Sequence, residues 1–207
     1  MRVRCAIHVA TLTLVASAAA VAQSPAPRQA AAPRESTAVF AGGCYWTTEA
    51  VFEHVNGVRD VVSGFATPEM PAPPAPAPRH RSYAEAVRVT YDPSRITYAQ
   101  LLQVFFLVAH DPTQVDRQGA DVGPQYRSVV FVNGDDQRQA AERYLADLTS
   151  HAVYQRPIAT EVVGTHGFQL ADDQDFIARN PHSLYATEHV PPLLAELRRR
   201  FPALYHP

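Results

Sequence analysis

The chain has 207 residues, 46 % of them hydrophobic and 18 % charged, with a net charge of −2. That composition supports one domain with a real core and excludes a wholly disordered chain, and the charge balance supplies no positive field for general nucleic-acid binding. All 18 basic residues are Arg, which excludes a lysine nucleophile, a lysine Schiff base and a Walker-type phosphate loop; two cysteines exclude a disulfide-dense scaffold and a four-cysteine zinc site.

Met1-Arg2-Val3-Arg4 is a short basic start, Cys5 to Val21 is apolar without charge, and Ala20-Val21-Ala22 puts small residues where a signal peptidase cuts. Residues 1–22 read as a secretory signal rather than an anchor, because His8, Thr11, Thr13 and Ser17 dilute the run. The expected location is outside the cytoplasm, in a bacterium the periplasm, with no membrane span after cleavage. The mature chain then keeps one cysteine, Cys44, either a dimer bridge or a reactive thiol. Residues 23–35, with Pro25, Pro27 and Pro33, read as a tether.

From Ser36 to the end the pattern is one domain. A strand over Ser36–Phe40 ends at Gly42-Gly43, and a helix follows over Thr47–Val55. A second strand spans Val58–Phe65. Residues 66–82 carry six prolines and read as an exposed loop, and Glu85–Tyr91 alternates as a strand. Thr97 caps a helix running to about Ala109, and His110–Pro124 is a polar loop. A strand over Arg127–Val132, a helix over Asp135–Leu148, a strand over Ile158–Val163 and a C-terminal helix over Leu193–Phe201 complete the series. Short strands mixed irregularly with helices predict a single-domain α+β sandwich.

Three groups could carry chemistry. In Gly42-Gly43-Cys44-Tyr45-Trp46-Thr47-Thr48-Glu49 the sulfur falls at a helix start, where free N–H groups and the dipole favour thiolate; the alternative is a small buried hydrophobe. Tyr45 and Trp46 are either core aromatics or an apolar wall, and Glu49 either supports the helix start or is exposed. Glu85 in Ser82-Tyr83-Ala84-Glu85-Ala86-Val87 is either an edge carboxylate or, if desolvated, a proton donor. The polar run His110-Asp111-Pro112-Thr113-Gln114 through Asp121 to Gln125-Tyr126-Arg127-Ser128 is either a turn network or a hydrogen-bonding surface. Metal-ligand spacings, G-x-G-x-x-G and G-x-S-x-G are missing, so neither a metal nor a bound cofactor is expected.

Together with Tyr91-Asp92-Pro93, these segments resemble the A-type peptide-methionine sulfoxide reductases, in family order, over roughly residues 37–180. The resemblance implies a ferredoxin-like mixed sheet packed by helices in a two-layer sandwich. It implies that Cys44 attacks the sulfur of S-epimer methionine sulfoxide, that Glu85 protonates the oxygen, that Tyr126 polarises it and that Asp121 orients the site. Tyr45 and Trp46 would receive the methyl group. Cys44 would be left as a sulfenic acid. No cysteine follows Cys44, so the implied reductant is an external thiol: thioredoxin-like, glutaredoxin-like or small. The implied partners are that thiol and oxidised protein or peptide methionines, with the enzyme a monomer. Two departures stand out, besides Tyr45 where the family usually has Phe. Many relatives carry resolving cysteines near the C-terminus, and this chain has none after Cys44. The family usually has Gly-His where Ser82-Tyr83 stands, with a second oxygen-binding Tyr in the loop that the proline-rich stretch replaces; either Tyr83 substitutes for that hydroxyl or oxygen polarisation is weakened. The competing readings are an impaired relative that only binds oxidised methionine, and a cysteine hydrolase built on Cys44, His110 and Asp121.

Overall fold

The computed structural model describes residues 35–70 and 79–207. The expected signal peptide, nearly all of the expected tether and the middle of the proline-rich stretch lie outside the described residues. The elements are β1 (Ser36–Gly42), α1 (Tyr45–Glu53), β2 (Val58–Pro68), β3 (Ala84–Tyr91), α2 (Tyr98–Val104), β4 (Arg117–Gln118), β5 (Asp121–Val122), β6 (Ser128–Val132), α3 (Asp135–Ser150), β7 (Glu161–Leu170), α4 (Phe176–Arg179) and α5 (Leu184–Arg200). A π-helical turn over Phe105–Ala109 prolongs α2, and a 3₁₀ turn over Pro124–Tyr126 precedes β6. Among the described residues no helix is long and apolar enough to cross a membrane.

The α+β class and the mixed sheet packed by helices are as the sequence predicts. The strand order is β1-β3-β2-β7-β6, with β6 and β7 parallel and the other pairs antiparallel. The strands at the two ends of that order also pair, Val39 opposite Phe131 and Ala41 opposite Val129, so the sheet closes on itself. Alternation explains which face goes where. Ala38, Phe40, Val87, Val89, Val130 and Val132 meet the helices in the large core, whereas Ala41, Ala66, Ala84, Ala86, Val129 and Phe131 form a second, smaller cluster on the other face. Four of those six are alanines, because a sheet of five strands encloses little volume when it closes. Glu85 shares the parity of Val87 and Val89 and therefore faces the helices.

On the helical face, Phe40 stacks on Phe52 of α1 at 5.3 Å between ring centroids and on Phe105 at 4.8 Å. Thr97 caps α2 as expected, in a reciprocal capping box with Gln100. Several elements outrun their sequence signals. β2 continues to Pro68, into the expected loop, because its last residues pair with β7. β7 extends seven residues beyond Val163 for the same reason. α5 starts at Leu184, capped by the Ser183 side chain, and runs through Pro191 and Pro192; packing against α1 overrides the missing donors.

Ala86→Leu tests the tight closure. Adding three carbons inside it should cost about 1–3 kcal/mol by overpacking, read as a lowered denaturation midpoint.

Candidate active site

Cys44 is placed by three local constraints. Gly42 lets the end of β1 lie against the His110 ring, since a Cβ there would stand 2.8 Å from His110 Cγ. Gly43 turns the chain with φ +99°, a left-handed conformation, and a Cβ there would stand 2.6 Å from the Gln118 side chain. Cys44 then falls at the N-cap of α1, its carbonyl accepting from the Thr47 hydroxyl at 3.0 Å.

Glu85, on β3, is fixed beside it by the first N–H of the helix: Tyr45 N donates to Glu85 Oε2 at 3.3 Å. Burial raises the Glu85 carboxyl to about 7; the Tyr45 N–H lowers it, Asp121 and Asp173 push it up, and a hydrogen bond with Cys44 lowers it. Cys44 is only 8 % exposed. The thiolate expected at the helix start is not the resting form: burial pushes the thiol up to about 12. Hydrogen bonding to Tyr185 and the Trp46 N–H pulls it down by less, and the negative charges of Glu85 and Asp121 add to the rise. One helix N-terminus is outweighed by desolvation plus two carboxylates.

The other expected residues are sorted by position. Tyr126, at the end of the 3₁₀ turn, is pushed up by burial and then by the nearby charges of Glu85, Asp121 and Cys44, which places its hydroxyl in the same field. Asp121, on β5, accepts from the Tyr185 hydroxyl at 3.3 Å. Tyr83 is not drawn into this cluster: its ring is half exposed, lies edge-on to Phe65 at 5.1 Å, and its hydroxyl has no hydrogen-bond partner among the described residues. His110 is committed elsewhere. Its Nδ1 lies 2.9 Å from the Phe105 carbonyl and therefore donates, Nε2 accepts from the Ser128 hydroxyl at 2.6 Å, and burial lowers the imidazole to about 4. With both nitrogens occupied it cannot serve as the base of a cysteine hydrolase.

Sequence reasoning gave no role to four residues. Asp173 binds both aromatics of the motif, accepting from the Tyr45 hydroxyl at 2.8 Å and from Trp46 Nε1 at 2.7 Å. Tyr185 stands edge-on to Trp46 at 5.2 Å with its hydroxyl near Cys44 and donating to Asp121, and Phe176 stacks on the indole at 3.6 Å between ring centroids. Arg127, 2 % exposed, donates to the carbonyls of Ser82, Tyr83 and Pro124, tying the entry of β3 to the turn that carries Tyr126. The site is therefore a buried thiol flanked by a carboxyl of raised pKa, a phenol beside them and an aromatic wall.

The family model for peptide methionine sulfoxide reductase matches residues 36–203. The chain belongs to the peptide methionine sulfoxide reductase family. It is 43 % identical to the peptide methionine sulfoxide reductase MsrA 2 of Mesorhizobium japonicum over 82 % of this chain and 89 % of the relative. It is 41 % identical to the MsrA of Deinococcus radiodurans over 79 % and 81 %. Among solved structures, methionine sulfoxide reductase A of Corynebacterium diphtheriae aligns with a TM-score of 0.58 at 30 % identity, covering 78 % of this chain and 85 % of that one. Mxr1 from Saccharomyces cerevisiae in reduced form aligns with a TM-score of 0.63 at 28 % identity, covering 75 % and 91 %. The same yeast protein in complex with Trx2 shares the fold at 24 % identity, with a TM-score of 0.51 and coverage of 69 % and 84 %. The activity is that of a peptide-methionine (S)-S-oxide reductase.

Glu49 of the reductase motif is neither exposed nor a cap. It is 1 % exposed, with Oε1 unpartnered, and burial raises its carboxyl from 4.5 to about 7. The folded state thus binds the extra proton between those values, so the contribution is full below the ordinary carboxyl range and is lost as pH rises through about 7. Glu49→Gln should shrink the drop in thermal midpoint between about pH 5 and pH 8, measured by calorimetry.

Proposed function

We propose that Cys44 and Glu85 carry the reduction as a pair sharing one proton. The observation that carries this is the juxtaposition of a buried thiol and a half-buried carboxyl, joined through the Tyr45 N–H and both raised by desolvation. At rest the shared proton sits on the sulfur. A sulfoxide oxygen bound at Glu85 and the Tyr126 hydroxyl receives the proton through Glu85 as negative charge develops on it. The Cys44 thiolate attacks the sulfoxide sulfur; the S–O oxygen passes to Cys44, methionine leaves, and Cys44 becomes a sulfenic acid. The methyl group rests on the wall of Tyr45 and Trp46, which Asp173 holds from behind. Asp121 orients the site through Tyr185.

Because no cysteine follows Cys44, the sulfenic acid is reduced by an external thiol, thioredoxin-like, glutaredoxin-like or small. The yeast relative solved with Trx2 supports a protein dithiol in that role. The enzyme works as a periplasmic monomer on oxidised methionines of exported proteins; the basic start, apolar run and small-residue site of residues 1–22 support export.

Cys44→Ser should abolish reduction of a dabsylated methionine sulfoxide, and Glu85→Gln should slow the first turnover by roughly 10²–10⁴. The sign of the pH dependence follows from the pair. Between about 7 and about 12 the pair holds the single proton that the reaction moves; below about 7 it holds two. First-turnover rates at low substrate should therefore fall as pH drops below about 7 and stay flat above it. In Glu85→Gln the break near pH 7 should vanish, leaving a rise that follows thiol ionisation alone.

A further inference from the structure

A cavity of about 370 Å³ reaches Cys44 from the side of α5 and the loop between α2 and β6. Its walls include Gln118, Asp121, Tyr185, Glu188 and His189. None of Tyr45, Trp46, Glu85 and Tyr126 lines it, so it is a second approach to the sulfur, separate from the aromatic wall. The His189 imidazole lies 4.4 Å from the Tyr185 ring, which lines the cavity together with Cys44 and donates its hydroxyl to Asp121. The other imidazole on the cavity is His110, whose two nitrogens are both taken. The lining carboxylates are Asp111, held by Thr113, Gln114 and Arg156; Asp121, held by Tyr185; and exposed Glu188. No Arg lines the cavity.

That charge pattern decides which form of a reducing thiol can enter. A thiolate would approach Asp121 and Glu85 against their charge, with Arg156 committed to Asp111 and no Arg on the wall; a neutral thiol meets no such barrier but is a poor nucleophile. A base inside the cavity resolves the conflict. We propose that this cavity is the entry site for the reducing thiol and that His189 takes its proton on arrival. The inference rests on Cys44 becoming a sulfenic acid. The incoming sulfur bonds to the Cys44 sulfur, the Cys44 S–O bond breaks with its electron pair on the oxygen, and the proton taken by His189 returns to that oxygen, releasing water. A second thiol then attacks the incoming sulfur, frees Cys44 as a thiol and leaves as the oxidised disulfide. The shared chemistry is a thiol, from a small molecule or from the tip of a protein dithiol.

Rapid-quench measurements on the full mature chain separate the two half-reactions. His189→Ala and His189→Gln should leave the first-turnover burst of methionine unchanged and slow sulfenic-acid reduction by dithiothreitol roughly tenfold or more. With trifluoroethanethiol, a more acidic thiol that needs less help, the same variants should lose much less. Thioredoxin in place of dithiothreitol tells which source uses the cavity; a loss with either reductant supports the inference. Sulfenic-acid reduction unchanged with both reductants, or slowed equally with the acidic and the ordinary thiol, overturns it. Absence of any burst from the wild-type chain overturns instead the reading of Cys44 on which it rests.

Discussion

The site depends on one contact: the first N–H of α1, at Tyr45, donating to the Glu85 carboxylate on β3. It joins the helix that presents the sulfur to the strand that presents the acid. It also brings two acids together where neither is well solvated. Burial then raises both, the carboxyl to about 7 and the thiol to about 12. A helix N-terminus in water would activate the thiol alone; here desolvation converts the pair into a store for one movable proton. Reduction of a sulfoxide by a thiol needs that proton transfer, because the oxygen leaves only when protonated.

The surroundings serve to hold that contact. Arg127 donates to three carbonyls, so the entry to β3 and the Tyr126 turn move together. Asp173 shares its two oxygens between the Tyr45 hydroxyl and the indole N–H. The Tyr that replaces the usual Phe of the family is thereby built into the wall and gains a fixed polar tether. The loop carrying Asp173 is itself pinned, since Gln174 bonds both the N–H and the carbonyl of Ser63 on β2. The buried, committed His110 belongs to this scaffold rather than to the chemistry.

Much of this was legible beforehand. Period-two alternation identified β3, an apolar run ending at Gly42-Gly43 identified β1, and Thr97 marked the start of α2. The run from Gly42 to Glu49 put Cys44 at a helix start, as found, and Glu85, Asp121 and Tyr126 are neighbours that share its field. Less visible were the ends of β2 and β7, whose pairing with each other joins segments far apart along the chain and leaves no local signal. Pro191-Pro192 hid the first half of α5, and with it Tyr185 and His189.

The sequence by itself determined the element types, the turn that delivers Cys44 and the family, because these follow from periodicity, glycine conformation and a run of neighbouring residues. Tertiary structure alone decided the protonation state of the site, since solvent exclusion and the charges of Asp121 and Asp173 come from segments far apart along the chain. It also decided the closure of the sheet, the Asp173 clamp and the second approach to the sulfur. Each depends on which distant side chains meet, and no local pattern encodes that.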